Sequence, residues 1–248
     1  VSHNYERNHN FNIWFTIAVP PGSSLDAHLE AIKRQPHVIS LRKFPTLKMY
    51  KIEVKLDVAG EFSLTAEEEV KRHNGIAGFE IDAEVKRTIV AVQEDIPVTE
   101  RPFEALAKNL GISETELLER LNLQMRAGIL RRIAAILKHQ NAGFIANCMS
   151  VWKVPEERCD EVGEKIAAVR AVSHCYRRPA YPDWPYTIFG MIHGKSPLDC
   201  RKVIEHISEK TGIKEFAELY STREFKKIRV KYFTPEIYDW ELKHGIRH

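Results

Sequence analysis

The sequence predicts an α+β fold: a winged helix-turn-helix plus a ferredoxin-like α/β sandwich, the unit duplicated and its first copy incomplete. Three observations predict it. Residues 1–22 (VSHNYERNHNFNIWFTIAVPPG) align without a gap at an offset of 171, with Val1/Val172, Ser2/Ser173, His3/His174, Tyr5/Tyr176, Arg7/Arg178, Thr16/Thr187 and Ile17/Ile188 identical. Self-similarity at a fixed offset marks a duplication. Residues 82–137 read as helix, helix, glycine-containing turn, helix and strand, the order of a winged helix-turn-helix. Residues 143–233 read as strand, helix, strand, strand, helix, strand, the split βαβ order.

Taken in turn, residues 1–20 hold two strands. Residues 24–35 form a capped amphipathic helix with Leu25, Leu29 and Ile32 on one face. Residues 47–58 (LKMYKIEVKLDV) alternate from Met49 and read as a strand. Its counterpart is 225–233 (FKKIRVKYF), where the offset has grown to 176, so the second copy carries extra residues in between. The polar stretch that follows, with the acid run 67–69, reads as a linker. Val85, Ile89 and Val92 place a helix over 82–93, and a second helix spans 101–110. Gly111-Ile112-Ser113 turns into a third over 114–127, with Ser113 and Glu116 spaced as a capping box. A wing strand is expected over 128–137 and the first sandwich strand over 143–154 (GFIANCMSVWKV). Pro155 then opens a helix to about residue 170, since proline suits a helix's first turn. Residues 171–194 (AVSHCYRRPAYPDWPYTIFGMIHG) supply two strands, with Pro179, Pro182 and Pro185 between them. A helix over 197–211 stops at Gly212, and 225–233 closes the unit. The expected domains are 1–58 (the rear of the first ferredoxin-like repeat), 59–80 (linker), 81–137 (winged helix) and 138–248 (second repeat, carrying the active site). By comparison with the second copy, the first lacks a winged helix, a strand and a helix at its front, so the chain reads as part of a longer polypeptide.

With 44% hydrophobic and 29% charged residues, the chain has the composition of a soluble globular protein with a real core. No apolar run reaches the roughly 18 residues of a membrane span, so no membrane partner is expected. Cys148, Cys159, Cys175 and Cys200 are too irregularly spaced for a metal knuckle or redox pair, and read as free, mostly buried thiols in a reducing cytoplasm. A net charge of +3 does not by itself imply nucleic acid.

The chemistry concentrates in 171–194. Two strands joined there bring His174 and His193 near one another, flanked by Arg177, Arg178, Tyr176 and Tyr186. Histidine titrates near neutral pH and is the usual proton donor or iron ligand. Arginine binds carboxylates in forked geometry. Tyr176, Trp184, Tyr186 and Trp152 are positioned to face a flat conjugated ligand, though each is equally an ordinary core aromatic. Arg131, Arg132, Lys138 and His139 add positive charge, either at the ligand or on a solvated wing. A planar molecule with several carboxylates fits this set, and no P-loop, Rossmann, Ser-His-Asp or zinc pattern is present.

A winged helix followed by a ferredoxin-like unit resembles the Lrp/AsnC regulators, which makes tetrapyrrole-sensing transcription control the competing reading. Glu114, Glu116 and Glu119 at the front of the third helix oppose it, because carboxylates repel phosphates where a reading helix meets DNA; no nucleic-acid partner is expected. More specifically, residues 2–7 (SHNYER), 129–155 (ILRRIAAILKHQNAGFIANCMSVWKVP) and the SHCYRR…WPY…MIHG combination resemble the siroheme decarboxylases, relatives of Lrp/AsnC. The resemblance implies removal of the C12 and C18 acetate carboxyls of siroheme to give 12,18-didecarboxysiroheme, with the two-copy chain pointing to heme d1 biosynthesis. It implies no added cofactor, since the iron belongs to the substrate and the macrocycle is the electron sink. Further decarboxylase subunits or a homodimer are the implied partners. His174 and His193 would be the catalytic pair: one protonates the ring-adjacent carbon as carbon dioxide leaves, while the other orients the acetate or the iron. Arg177, Arg178, Arg131 and Lys138 would hold the remaining carboxylates, with Tyr176, Tyr186 and Trp152 against the ring. In the first copy Gly22 stands where His193 would fall, so one competent site per chain is expected, with the first copy a structural partner.

Overall fold

The computed structural model describes residues 1–20, 22–52, 63–67, 79–130, 133 and 146–246. The first copy supplies β1 (His3–Arg7), β2 (Ile13–Thr16), α1 (Leu25–Lys33) and β3 (Lys48–Ile52). Three helices follow: α2 (Ala83–Val92), α3 (Glu104–Leu110) and α4 (Glu114–Arg126). The second copy runs through β4 (Ala146–Trp152), α5 (Cys159–Ala168), β5 (Val172–Arg177), β6 (Ile188–Gly194), α6 (Pro197–Thr211) and β7 (Phe216–Lys227), and α7 (Pro235–His244) ends the chain.

Among the described residues, seven strands form one sheet in the order β2-β1-β7-β4-β6-β5-β3. Its inner four, β7-β4-β6-β5, have the ferredoxin-like arrangement expected for the second copy. The outer strands come from the first copy by a reciprocal exchange. β1, the counterpart of β5, lies antiparallel to the outer half of β7; β3, the counterpart of that outer half, lies antiparallel to β5. Each exchange satisfies a strand edge that would otherwise be left bare. Tyr50 fixes the second one: its ring lies so close to Gly163 of α5 that a Cβ there would collide with it, and its hydroxyl donates to Cys159 O at 3.1 Å and Asp160 Oδ1 at 2.7 Å.

Strand alternation sorts side chains onto two faces. Cys148 and Trp152 of β4, Cys175 of β5 and Ile188 and Ile192 of β6 pack with Val162 and Ile166 of α5 and Val203, Ile204 and Ile207 of α6 into the main core. Gly190 belongs to that face, where a Cβ would come within 3.0 Å of the Trp152 ring. The opposite face carries an aromatic cluster shared by both copies. Trp14 and Phe44 of the first stand 5.1 and 5.5 Å from Trp184 of the second, which is fully buried.

Several boundaries differ from expectation. The closing strand is Phe216–Lys227, not 225–233. Phe216 and Tyr220 pack toward the main core while Ala217 and Leu219 join the aromatic cluster. With both faces apolar, the period-2 signal vanishes over the half that pairs with β4. The helix expected at Pro155 begins as a 3-10 turn, Glu156–Arg158, before α5. Ser113 caps α4 by accepting from Glu116 N at 3.1 Å, but the Glu116 carboxylate accepts from Arg120 at 2.7 Å. α2, α3 and α4 pack around Ala107, Leu117 and Leu121 as a helix-turn-helix requires. Of the expected wing, 128–130 is a turn, and the rest, Ile133 aside, lies outside the described residues, as do most of the linker and the rear of the strand expected over 47–58. Among the described residues no helix is long and apolar enough to cross a membrane.

All four cysteines are free and buried. Burial raises every one of these thiols, Cys148 to about 11 and Cys200 to about 12. At pH 8 only about one Cys148 in a thousand is then thiolate, the reactive form. A disulfide reagent added at that pH should leave the native protein unlabelled over minutes and label all four cysteines in denaturant; prompt labelling of any in the native state would contradict this packing.

Candidate active site

The site is built on the face opposite the main core, where a cavity of about 1970 Å³ is lined from both copies. That is about twice the upper end of the roughly 300–1,000 Å³ typical of small-molecule pockets. Alternation decides who enters. Asn147 and Met149 of β4, His174 and Tyr176 of β5, and Phe189, Met191 and His193 of β6 line it. The pairing register places Asn147 opposite His193.

β5 carries an irregularity against β6 between Val172 and His174, leaving Ser173 as an extra residue. Such a bulge re-aims side chains and is frequent beside active sites. Here it puts the Ser173 hydroxyl between the two histidines: Oγ lies 2.7 Å from His174 Nδ1 and 2.8 Å from His193 Nε2. His193 Nδ1 in turn lies 2.5 Å from Asn147 Oδ1. Ser173 itself is only 3% exposed, so the chain of contacts runs beneath the cavity wall.

Arg178 also lines the cavity, its guanidinium 5.1 Å from the Tyr176 ring and 5.6 Å from Phe189, with Nη1 donating to Phe44 O. The first copy repeats the arrangement. Ser2 Oγ lies 3.1 Å from His3 Nδ1, and the Arg7 guanidinium stands 5.7 Å from Tyr5 and donates to Leu219 O at 2.8 Å. His3, Tyr5 and Arg7 line the same cavity as His174, Tyr176 and Arg178. The first copy is therefore more than the structural partner expected of it: strand exchange puts β1 and β5 around one cavity. Burial pulls the Arg7 and Arg178 guanidinium groups below their usual value, yet arginine stays charged at any physiological pH. Burial and the Lys227 charge lower His3 as well.

Of the residues singled out from sequence, His174, His193, Tyr176 and Arg178 meet at this cavity. Arg177 is on the other face of β5, paired with Glu156. Trp152 is fully buried in the main core against the helices. Tyr186 packs on Trp184 at 5.2 Å in the aromatic cluster. Arg131 and Lys138 lie outside the described residues. Sequence reasoning missed Ser173 and Asn147 as histidine partners, although the repeated Ser-His pair at 2–3 and 173–174 was a signal for the first. It also missed the cavity-lining cations Arg42, Lys43, Arg223 and Lys227.

Residues 86–131 match a family model described as "Siroheme decarboxylase NirDL-like HTH domain", and residues 1–51 and 141–226 match "AsnC-like ligand binding domain". The siroheme decarboxylase of Hydrogenobacter thermophilus is 42% identical over 241 residues, covering 97% of this chain and 71% of that one. The chain belongs to the siroheme decarboxylase family. A siroheme decarboxylase beta subunit of Methanosarcina barkeri is 49% identical over 140 residues, 56% of this chain and 92% of the relative. The crystal structure of the siroheme decarboxylase NirDL in co-complex with an iron-uroporphyrin III analogue superposes with a TM-score of 0.69 at 36% identity, over 98% of this chain and 70% of that one. Escherichia coli AsnC, at 19% identity and a TM-score of 0.52 over 62% of this chain and 99% of that one, shares the fold. The regulator reading is not favoured, because the helix-turn-helix itself matches the decarboxylase family and Glu114 and Glu116 occupy the first turn of α4.

Proposed function

We propose that this chain is a siroheme decarboxylase that removes the C12 and C18 acetate carboxyls to give 12,18-didecarboxysiroheme, in the heme d1 branch. The observation that carries the reading is the pair His174 and His193, joined through Ser173 on the wall of a cavity large enough for a tetrapyrrole. Each step breaks one carbon–carbon bond. The bonding pair stays with the side-chain carbon, the conjugated macrocycle delocalises it, carbon dioxide leaves, and a proton completes the methyl group. The site must supply one proton per carboxylate and hold the carboxylates that stay. His174 and His193 serve the first task. Arg178, and Arg7 from the first copy, serve the second, because a guanidinium hydrogen-bonds a carboxylate with charge assistance. Arg177, Tyr186 and Trp152 have no part in this geometry, since none lines the cavity. No cofactor enters the proposal, because the iron arrives with the substrate. Further decarboxylase subunits or a second copy of the chain belong to the same reading, and light scattering at assay concentration reports which assembly turns over. Anaerobic incubation with siroheme followed by mass spectrometry tests it. The expected product is lighter by two carbon dioxide units; unchanged siroheme with every such assembly supplied would overturn the reading.

A further inference from the structure

A substrate with several carboxylates, only two of which leave, needs cations that hold the others through both steps. Arg7 and Arg178 each already donate to a backbone carbonyl. A third guanidinium, Arg42, lies on the loop that joins α1 to β3, and residues 37–46 of that loop all line the cavity. Its carboxylate-binding edge is filled by the protein itself. Nε donates to Asp183 Oδ1 at 3.2 Å and Nη2 to Asp183 Oδ2 at 2.6 Å, while Nη1 donates to Leu41 O at 3.0 Å. Two parallel N–H···O bonds are the geometry in which arginine takes a free carboxylate. Arg42 lines the cavity but Asp183 does not; it sits at the tip of a tight turn closed by backbone hydrogen bonds between Tyr181 and Trp184.

Three features make that pair exchangeable. The side chains are 31% and 45% exposed, and exposed ion pairs contribute little to stability. The loop is also held without it: Phe44 packs 5.5 Å from Trp184, the Tyr181 hydroxyl donates to Lys43 O, and Leu47 N donates to Arg177 O at 2.9 Å. Finally, the guanidinium keeps its place when Asp183 is displaced, because it stands 5.8 Å from the Phe11 ring of the first copy and 5.9 Å from the Tyr181 ring of the second. Cation–π contacts of this kind hold an arginine without filling its hydrogen-bonding edge. The hydrogen bond from Arg42 keeps the Asp183 carboxyl below the ordinary carboxylate range, so both partners are charged at assay pH.

We propose that Arg42 binds one of the carboxylates that siroheme keeps, and that Asp183 occupies its forked edge until the substrate displaces it. The inference rests on the decarboxylase reading and deepens it. No covalent bond changes; one ion pair replaces another, and the released Asp183 carboxylate faces water. Asp183 acts through Arg42, as a positioning residue that keeps the guanidinium charged, oriented and filled between turnovers. The exchange also selects: a carboxylate can replace Asp183 on equal terms, whereas a neutral group would trade a charge-assisted pair for a weaker bond.

The experiment measures siroheme affinity anaerobically, by absorption, in wild type, Arg42→Gln, Asp183→Asn and the double variant. It is run at roughly 0.15 M salt, where exposed charges more than about 8 Å apart are largely screened. Arg42→Gln is expected to bind about 5–50-fold more weakly, the loss of one hydrogen-bonded charged contact. Asp183→Asn is expected to bind about three- to fivefold more tightly, because the substrate no longer displaces a competitor worth one exposed ion pair. In the Arg42→Gln background the same change should alter affinity by less than about 1.5-fold, since the residue it acts through is gone. A purely structural tie predicts the opposite sign, because breaking it would loosen the loop and weaken binding. An Asp183→Asn protein that binds no more tightly than wild type, or a gain that persists undiminished in Arg42→Gln, would overturn the exchange. If Asp183→Asn folds poorly, Asp183→Ser and the Arg42→Gln affinity decide in its place. A wild type that binds siroheme with these dependences but releases no carbon dioxide would sink the decarboxylase reading and leave the exchange standing. A wild type that binds no siroheme would sink both.

Discussion

His174→Ala is expected to release carbon dioxide from siroheme about 10²–10⁴-fold more slowly than wild type, the usual contribution of a positioned general acid. Siroheme binding should weaken far less, because in the proposed reading the carboxylates are held by the guanidinium groups of Arg7 and Arg178, which line the same cavity. The loss therefore belongs in kcat with KM little changed, which marks an interaction made only in the transition state. His193→Ala should also slow carbon dioxide release, because both imidazoles serve proton supply in this reading. His3→Ala gives the matching control. His3 lines the same cavity and repeats the contact with its own serine, but Gly22 leaves it without a counterpart of His193. Its removal should leave most of kcat intact. Steady-state and single-turnover rates with siroheme check all three. A His174→Ala protein of normal rate would remove the paired imidazoles from the mechanism, and an inactive His3→Ala protein would move the chemistry to the first copy.

The pairing of His174 with His193 was legible because the duplication and the proline-bounded strands both point to one hairpin. Alternation also carried more than was used. His174, Tyr176 and Arg178 are two residues apart and share a face, so Arg177 had to point the other way, as it does toward Glu156. Trp152 is the same case: five residues from Asn147 along one strand, it faces the helices. The reciprocal exchange of β1 and β3 was not legible. Alternation says which side chains share a face but not which strand lies beside which, and the partner edge of β5 could as well have been solvent. For that reason the first copy's His3, Tyr5 and Arg7 were known as repeats, but not as members of the same cavity. The shift of β7 from 225–233 to Phe216–Lys227 has a similar origin, since pairing with β4 and β1 set its limits while local pattern did not.

His28→Ala should be among the most destabilising single changes in the chain. His28 Nε2 on α1 lies 2.9 Å from the Glu241 carboxylate on α7, with side chains only 1% and 2% exposed, and the Ser23 hydroxyl donates to the same carboxylate oxygen at 2.5 Å. Removing His28 leaves the buried carboxylate without this partner, and breaking a buried pair costs roughly 3–5 kcal/mol. The two halves are not equivalent, since a carboxylate left in an apolar site is costlier to bury than an imidazole, a group with a neutral form. Glu241→Ala should therefore cost less, about 1–3 kcal/mol, in line with an ordinary lost buried hydrogen bond. In a chain of this size each kcal/mol moves the melting temperature by roughly 2–4 °C, so His28→Ala should melt about 6–20 °C lower. The double variant should fall short of the sum of the two, since removing both leaves no orphan. Thermal unfolding of the three variants reads this directly, and a Glu241→Ala protein less stable than His28→Ala would reverse the argument. The consequence reaches the site. Leu25 and Leu29 of α1 line the cavity, so the pair that ties α1 to α7 also sets the position of the first copy's wall around the macrocycle. Loosened siroheme binding in His28→Ala, at temperatures well below its melting point, is the functional signature of that tie, and unchanged binding there would confine the pair to stability alone.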